Sequence, residues 1–92
     1  MNDPLVATVE IRNQRGLHAR ASAKFCAVAS AWDAVIRVSK DGYDVGGCSI
    51  MGLLTLAAGI GSTIQISASG PQAEDALKTL VRLVEERFGE EA

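Results

Sequence analysis

The sequence predicts an α+β fold in which helices pack on one face of a largely antiparallel sheet. Two hydrophobic patterns succeed one another along the chain: segments with a period of two, typical of half-buried strands, and segments with a helical period. In chain order they give βαββαβα. The 92 residues suffice for one compact domain but not for two, so a single domain is expected over residues 1–92.

The first and last predicted strands show the clearest alternation of apolar and polar residues. They cover residues 5–11 (LVATVEI) and residues 62–69 (STIQISAS). In each, every second side chain is predicted to share one face of the sheet. These sets are Leu5, Ala7, Val9 and Ile11 in the first strand, and Ile64, Ile66 and Ala68 in the last.

The two middle strands form a predicted hairpin. Residues 34–39 and 43–46 flank the sequence Lys40-Asp41-Gly42. Asp-Gly pairs tolerate the positive φ angles of a tight hairpin turn. These two strands are therefore expected to pair in antiparallel orientation.

Three segments are predicted to be helical. The first runs from about Ala19 to Ala31, the second is a brief helix from Ser49 to Ala58, and the third has Pro71 at its first position. Their expected inward residues are Ser22, Phe25, Cys26 and Ala29 in the first helix, Leu53 and Leu56 in the second, and Ala73, Ala76, Leu77, Leu80, Val81, Val84 and Phe88 in the third.

Composition excludes several classes of function. Hydrophobic residues make up 48% and charged residues 22%, the profile of a folded globular protein. A net charge of −2 from well-mixed charges argues against a nucleic-acid surface. No apolar run is long enough to insert into a membrane and no secretory signal is apparent, so a cytoplasmic location is expected. Cys26 and Cys48 are expected to be reduced packing residues, and with one histidine they give no metal spacing.

The only histidine, His18, lies in RGLHARASAKF (residues 15–25), where an irregular segment turns into the first helix. A helix start receives anions through its free N–H groups and positive dipole. That dipole also disfavours imidazolium, so a neutral ring with a lone pair for nucleophilic attack is expected. Arg20 supplies a guanidinium suited to phosphate oxygens, and Gly16 lets the backbone turn tightly beside the ring.

These residues together predict a phosphoryl acceptor. From the residues alone, His18 as an ordinary polar residue at a helix start is an equally good interpretation. A hydrolytic pair of Cys48 and His18 is poorly supported, because the sequence identifies no third group to orient it.

Two longer motifs carry a resemblance to a known family. GLHARASAKF at residues 16–25 and SIMGLLTLAAGIGSTIQISASG at residues 49–70 resemble, in order and spacing, the histidine phosphocarrier protein (HPr) family of the phosphoenolpyruvate-dependent phosphotransferase system. The resemblance extends from the first strand through the last helix. It implies an open-faced sandwich, with a four-stranded antiparallel sheet covered on one face by three helices. It also implies a carrier rather than an enzyme, with no cofactor and no metal.

The resemblance gives roles to the residues of the first motif. His18 would be the phosphorylated histidine, receiving phosphate on Nδ1 from phosphorylated Enzyme I and passing it to a histidine of an Enzyme IIA domain. Arg20 would be the arginine that accompanies it, with Gly16, Ala19 and Ala21 as the supporting loop and helix start. Most members have proline after the arginine, whereas Ala21 provides a backbone N–H that proline lacks.

The second motif implies regulation and docking. Ser49 falls on the family's regulatory serine, the substrate of HPr kinase/phosphorylase in organisms that have it; the preceding residue is commonly basic or polar, and here it is Cys48. Ile50, Met51 and Leu54 are too many apolar side chains for one brief helix to bury completely. We name these three residues the docking patch. The resemblance places it beside His18 as a surface for several partners, with Lys24 nearby.

Three functional hypotheses follow. The first is a monomeric phosphocarrier that serves Enzyme I and Enzyme IIA. The second is a mainly regulatory HPr-like module, as in the nitrogen-related branch, in which Ser49 controls partner proteins rather than sugar uptake. The third is a small α+β ligand-binding domain, which would carry no acid-labile phosphate. The intact GLHAR motif favours the first hypothesis, because a purely regulatory protein could dispense with the histidine.

Overall fold

The computed structural model describes residues 3–92, and its elements follow the predicted order. The strands are β1 (Leu5–Glu10), β2 (Val35–Lys40), β3 (Tyr43–Gly46) and β4 (Thr63–Ser69). The helices are α1 (Ala19–Ser30), α2 (Ile50–Thr55) and α3 (Ala73–Glu85), followed by a 3₁₀ turn at Arg87–Gly89. The predicted α+β class and the βαββαβα order are confirmed.

All neighbouring strands of the sheet are antiparallel, in the spatial order β1-β4-β2-β3. At its centre, Ile66 of β4 lies opposite Ala7 of β1 and Val38 of β2. The inward face of the sheet and the facing sides of the helices form one core. Its largest fully buried apolar side chains are Phe25, Phe88, Ile11, Leu53, Ile64, Ile66, Leu80, Val38 and Val84.

The predicted inward face of β1 is buried progressively along the strand. Leu5, at the outer end of this edge strand, is 42% exposed, whereas Val9 is 6% and Ile11 fully buried. Ile11 continues the pairing beyond β1, because its N–H donates to the carbonyl of Ser62 and its own carbonyl accepts from Gly61. The strand is thus anchored at the end that leads into the His18 segment.

The hairpin prediction is confirmed by the backbone of its turn. Asp41 and Gly42 both have positive φ, 51° and 86°. This pairing of angles suits a two-residue connection whose twist matches the strands. The strands β2 and β3 then pair from Lys40 opposite Tyr43 to Arg37 opposite Gly46.

Two helix boundaries differ from the predicted ones near the middle of the chain. The short helix α2 ends at Thr55 rather than Ala58, because Ala57 adopts a left-handed conformation with φ of 50°. The last helix begins at Ala73 rather than at Pro71, which lies in the preceding turn. Gln72 has non-helical backbone angles there, so proline is not the first helical residue.

The end of α3 was also predicted incorrectly. The helix stops at Glu85, and both Arg87 and Phe88 have positive φ, 59° and 55°. This reversal still places Phe88 in the core, where it is 1% exposed, so its predicted inward position is correct although its helical conformation is not. Within residues 3–92, no helix is long and apolar enough to span a membrane.

Candidate functional site

His18 is the residue that caps the N-terminus of α1. Its backbone is extended, its carbonyl accepts the first helical hydrogen bond from Ser22, and its Nδ1 accepts the N–H of Arg20 at 3.3 Å. The neighbouring N–H groups of Ala19 and Ala21 have no acceptor among residues 3–92. Nδ1 therefore lies at the helix end where free donors and the positive dipole are found.

The other ring nitrogen of His18 contacts a carboxylate from the opposite end of the chain. Nε2 lies 2.5 Å from Glu90 Oε2, and the second carboxylate oxygen accepts from Asn13 Nδ2 at 3.0 Å. The same amide donates to the Gly16 carbonyl at 2.8 Å, so both of its hydrogens are used. We name His18, Asn13 and Glu90 the histidine triad.

The histidine triad fixes the arrangement of protons on a neutral imidazole ring. A carboxylate can only accept, so Nε2 carries the hydrogen that it donates to Glu90. Nδ1 then keeps the lone pair, consistent with its acceptance of the Arg20 N–H. The ring consequently presents Nδ1, rather than Nε2, as its nucleophilic atom.

Several opposing effects set the acidity of Glu90. Partial burial raises the pKa of its carboxyl group, but hydrogen bonds from His18 and Asn13 and the charges of His18 and Arg15 together outweigh burial. The net result is a pKa below the ordinary value of 4.5. Glu90 is therefore an anion near neutral pH. Within residues 3–92, no group of three His, Cys, Asp or Glu side chains could hold a metal.

The 3₁₀ turn after α3 carries Glu90 to the ring. Positive φ at Arg87, Phe88 and Gly89 reverses the chain, and the buried Phe88 ring anchors the turn in the core. Lys24 of α1 donates from Nζ to the Phe88 carbonyl at 2.8 Å. Lys24, predicted to contact partners, thus also ties α1 to this turn.

Gly16, in the loop before His18, packs closely against the segment that follows α2. It has φ of 68°, and a Cβ atom there would lie 2.5 Å from the Ala58 carbonyl oxygen and 2.8 Å from the Gly59 Cα. The next residue, Leu17, donates its N–H to that same Ala58 carbonyl at 2.8 Å. Both the conformation and this close approach require glycine.

Arg20 and Ala21 occupy contrasting positions in the first turn of α1. Arg20 is exposed, and no carboxylate among residues 3–92 forms an ion pair with it. Ala21 is fully buried, which the predicted inward face of this helix had omitted. The helix start therefore combines a tightly packed methyl group with a guanidinium that is available to an incoming anion.

The docking patch lies on α2 with the predicted burial. Met51 is 72% and Ile50 39% exposed, and Leu54 is half-buried, whereas Leu53 and Leu56 belong to the core. Ser49 caps this helix, because its Oγ accepts the Gly52 N–H at 3.0 Å. Ser49 is exposed at the edge of the patch.

Asn13 and Glu90 were not predicted as site residues from the sequence. Asn13 is fully buried in a polar stretch that was predicted only as a loop, and Glu90 lies beyond the last predicted helix. No periodicity marks either residue, since their contacts span 72 and 77 positions along the chain. The one available signal for the turn was Gly89 after an apolar Phe88, a pattern that can end a helix.

Comparison with known proteins identifies one family over nearly the whole chain. The family model for the PTS HPr component phosphorylation site matches residues 5–86. The phosphocarrier protein HPr of Cupriavidus necator is 45% identical over 80 residues, covering 87% of this chain and 90% of the relative. That of Neisseria meningitidis (serogroup A) is 42% identical over 86 residues, covering 94% and 97%.

A solved structure shows the same architecture. The crystal structure of HPr-C-His from Thermoanaerobacter tengcongensis superposes with a TM-score of 0.91 at 43% sequence identity, covering 96% of this chain and 99% of that one. Both the family model and these relatives cover nearly all of the elements described above. The chain therefore belongs to the HPr family of phosphocarrier proteins of the phosphotransferase system.

Proposed function

We propose that this protein accepts a phosphoryl group on His18 Nδ1 from phosphorylated Enzyme I and passes it to a histidine of an Enzyme IIA domain. The observation that carries the proposal is the arrangement of the ring at the start of α1: Nε2 contacts Glu90, and Nδ1 faces the free N–H donors. In this role the whole chain, residues 1–92, acts as one monomeric cytoplasmic domain. It forms a phosphohistidine but turns over no small substrate.

The transfer makes one bond and breaks another. The Nδ1 lone pair attacks phosphorus, an N–P bond forms, and the bond between phosphorus and Enzyme I breaks. Before transfer, the Arg20 backbone N–H donates to Nδ1. Once Nδ1 is bonded to phosphorus, this N–H can instead donate to a phosphate oxygen, as can the N–H groups of Ala19 and Ala21. Transfer to Enzyme IIA reverses these steps on the carrier.

Glu90 supports the transfer from the far side of the ring. Positive charge develops on the imidazole as Nδ1 forms its new bond, and the Glu90 carboxylate at Nε2 stabilises that charge. Asn13 Nδ2 holds the carboxylate in place by donating to Glu90, and a second hydrogen bond from the same amide to the Gly16 carbonyl fixes Asn13. Glu90 is a positioning residue, because it contacts the ring and not the phosphate.

Arg20 contributes positive charge from outside the triad. Its guanidinium is exposed and has no ion-pair partner among the described residues, so it is free to bond phosphate oxygens. We expect Arg20→Ala to slow transfer in both directions while the circular dichroism spectrum stays native. Unchanged rates in both directions would remove Arg20 from the mechanism.

The docking patch is proposed to bind Enzyme I and Enzyme IIA in turn. Exposed Met51 has a flexible thioether that adapts to different surfaces, and half-buried Leu54 adds apolar area beside it. Sharing one patch among partners requires that each complex be short-lived, which suits a carrier. The same residues are expected to affect both transfers.

Ser49 is proposed as a regulatory site where the organism has HPr kinase/phosphorylase. A phosphate there would add about −1.5 to −2 charges at the helix start beside the docking patch. The exposure of Ser49 also supports the second candidate, a mainly regulatory module. Phosphorylation of His18 distinguishes the phosphocarrier from the regulatory module, because a purely regulatory module needs no acid-labile phosphate.

The decisive experiment is incubation with Enzyme I and phosphoenolpyruvate, followed by intact-mass measurement. The wild type is expected to gain one phosphate that acid removes, and His18→Ala to gain none. A His18→Ala variant that accepts an equal amount would contradict the proposal. A folded wild-type protein that gains no phosphate would instead favour the regulatory module or the ligand-binding domain.

A further inference from the structure

Two thiols from separate parts of the chain meet at the turn before α2. Cys26 lies on α1, and Cys48 lies in the turn between β3 and α2, directly before Ser49. Cys26 Sγ donates to the Cys48 carbonyl oxygen at 3.1 Å. Cys48 Sγ lies 3.3 Å from the hydroxyl oxygen of Ser30, one turn along α1 from Cys26. Both sulfurs therefore lie at one contact between α1 and this turn.

We propose that Cys26 and Cys48 form a reversible intramolecular disulfide, so that this contact is a redox modification site. A disulfide needs Cα atoms roughly 4.4 to 6.8 Å apart. The Cys26 sulfur already lies against the main chain of Cys48, and a disulfide requires the Cys48 side chain to rotate from Ser30 towards Cys26. Cys48 is exposed and lies outside the helices and strands, which leaves its side chain room to rotate.

The present hydrogen bonds oppose this rotation only weakly. Ser30 Oγ has a single hydrogen, which it directs to the Cys26 carbonyl at 2.8 Å, so its 3.3 Å contact with the Cys48 sulfur is a weak one. Thiols are weak donors, and the bond from Cys26 to the Cys48 carbonyl is of the same kind. Neither sulfur is held by a strong partner that the disulfide would have to displace.

Oxidised glutathione, a small disulfide, is a sufficient oxidant. The exposed Cys48 loses its proton to solvent and attacks one glutathione sulfur, forming a mixed disulfide and releasing one glutathione thiolate, which is protonated. Deprotonated Cys26 then attacks the Cys48 sulfur and releases the second glutathione. Two protein thiols are oxidised, and one glutathione disulfide is reduced to two thiols. Excess dithiol reverses both steps.

The test is to incubate the reduced, folded chain with oxidised glutathione, quench with acid and measure the intact mass. The expected product is a monomer lighter by two hydrogen atoms, with no bound glutathione, whose digest contains one peptide linking Cys26 to Cys48. Cys26→Ser is the matched control, and it is expected to retain a glutathione adduct on Cys48. Wild-type protein that retains glutathione adducts, or forms only disulfide-linked dimers, would overturn the proposal.

A second measurement tests whether the fold brings the thiols together. The ratio of disulfide to dithiol protein at equilibrium with a glutathione redox buffer is compared in water and in urea that unfolds the chain. The ratio is expected to be roughly tenfold or more higher in the folded protein, because the fold raises the effective concentration of one thiol at the other. An equal or lower ratio in the folded protein would count against the site.

Discussion

The histidine triad and the docking patch are built in opposite ways. The triad is polar and largely buried: the His18 and Glu90 side chains are 15% and 18% exposed, and Asn13 is fully buried. The docking patch is apolar and open, with Met51 72% exposed. The first arrangement suits a bond-forming atom that must be held in one orientation, and the second suits a surface that must fit several partners. Under the proposed function, chemistry and recognition are thereby separated on neighbouring elements.

The largest effect is expected at Gly16, where the loop before His18 contacts the segment that follows α2. Gly16→Ala would force a Cβ atom into the Ala58 carbonyl and a left-handed conformation on alanine. We expect the free energy of unfolding to fall by about 2 to 4 kcal/mol, combining strain and overpacking. Urea unfolding followed by circular dichroism measures it.

Gly61→Ala is the matched control for that substitution. Gly61 also has positive φ, 85°, but a Cβ atom there meets nothing within 4 Å. Only the conformational strain of about 1 to 2 kcal/mol should remain. Equal losses of unfolding free energy in the two variants would show that the close approach of Gly16 to Ala58 has no effect on stability.

The next largest effect is expected within the histidine triad. Glu90→Gln keeps the shape of the side chain but removes the charge opposite Nε2. Transfer from Enzyme I should slow by roughly tenfold to a hundredfold, by analogy with the loss of the carboxylate that orients a metal-ligating histidine. Glu91→Gln removes the same charge one residue later and serves as the control. Similar rates for the Glu90 and Glu91 variants would rule out a specific role for Glu90.

Glu90 also gives a prediction for the pH dependence of stability. Its pKa is lowered in the folded protein from the ordinary value of 4.5, so folding favours its ionised form. The stability that Glu90 contributes is therefore present above the unfolded pKa and is lost as pH falls through the lower folded pKa. Wild type should exceed Glu90→Gln in stability near neutral pH and lose that advantage on acidification. Urea titrations at successive pH values measure the difference; a constant difference would contradict it.

A smaller effect, confined to recognition, is expected in the docking patch. Met51→Asp should weaken binding to Enzyme I by about tenfold, because the complex would then bury a charged side chain in place of an apolar one. The free energy of unfolding should not change, since Met51 is 72% exposed. Titration calorimetry measures the affinity. Val6→Asp, at a site 58% exposed on the uncovered face of the sheet, is the control and should bind normally.

The smallest effect is expected at the edge of the docking patch. Ser49→Ala removes the hydroxyl that accepts the Gly52 N–H, so the protein should lose about 1 kcal/mol of stability. Ser49→Asp retains an acceptor and should restore most of that loss. Thermal unfolding of the three proteins measures this. If Ser49→Ala and wild type melt together, the cap has no measurable role in stability.

Ser49→Asp also tests whether a negative charge at this position affects association with Enzyme I or the phosphoryl-transfer step itself. Its negative charge is expected to slow His18 phosphorylation at low Enzyme I concentration and to have little effect at saturation, because it opposes association rather than attack. Initial rates over a range of Enzyme I concentrations distinguish the two effects. A lowered rate at saturation would mean that the charge reaches the reacting atoms.

The contrast between the two regions also explains which of them could be predicted from sequence. The exposure of Met51 and the burial of Leu53 follow from local helical spacing, and the hairpin turn follows from Asp41-Gly42. The position of His18 at a helix start was equally local. These features depend on residues a few positions apart, where pattern and backbone preference agree.

The partners of His18 could not be predicted in that way. Glu90 reaches the ring only because three successive residues with positive φ reverse the chain after α3, and two of them are not glycine. The buried Phe88 and the bond from Lys24 to its carbonyl compensate for that strain. Such a turn depends on tertiary contacts rather than on local preference. The helical pattern therefore extended the last helix too far and concealed the carboxylate.

NMR can determine whether Glu90 at Nε2 leaves Nδ1 as the phosphoryl acceptor. The protein is labelled with ¹⁵N in its single histidine, phosphorylated with Enzyme I and phosphoenolpyruvate, and examined for coupling between phosphorus and the ring nitrogens. Phosphorus is expected to couple to Nδ1, while Nε2 keeps its hydrogen. Coupling to Nε2, or a phosphate that couples to neither ring nitrogen, would contradict the account.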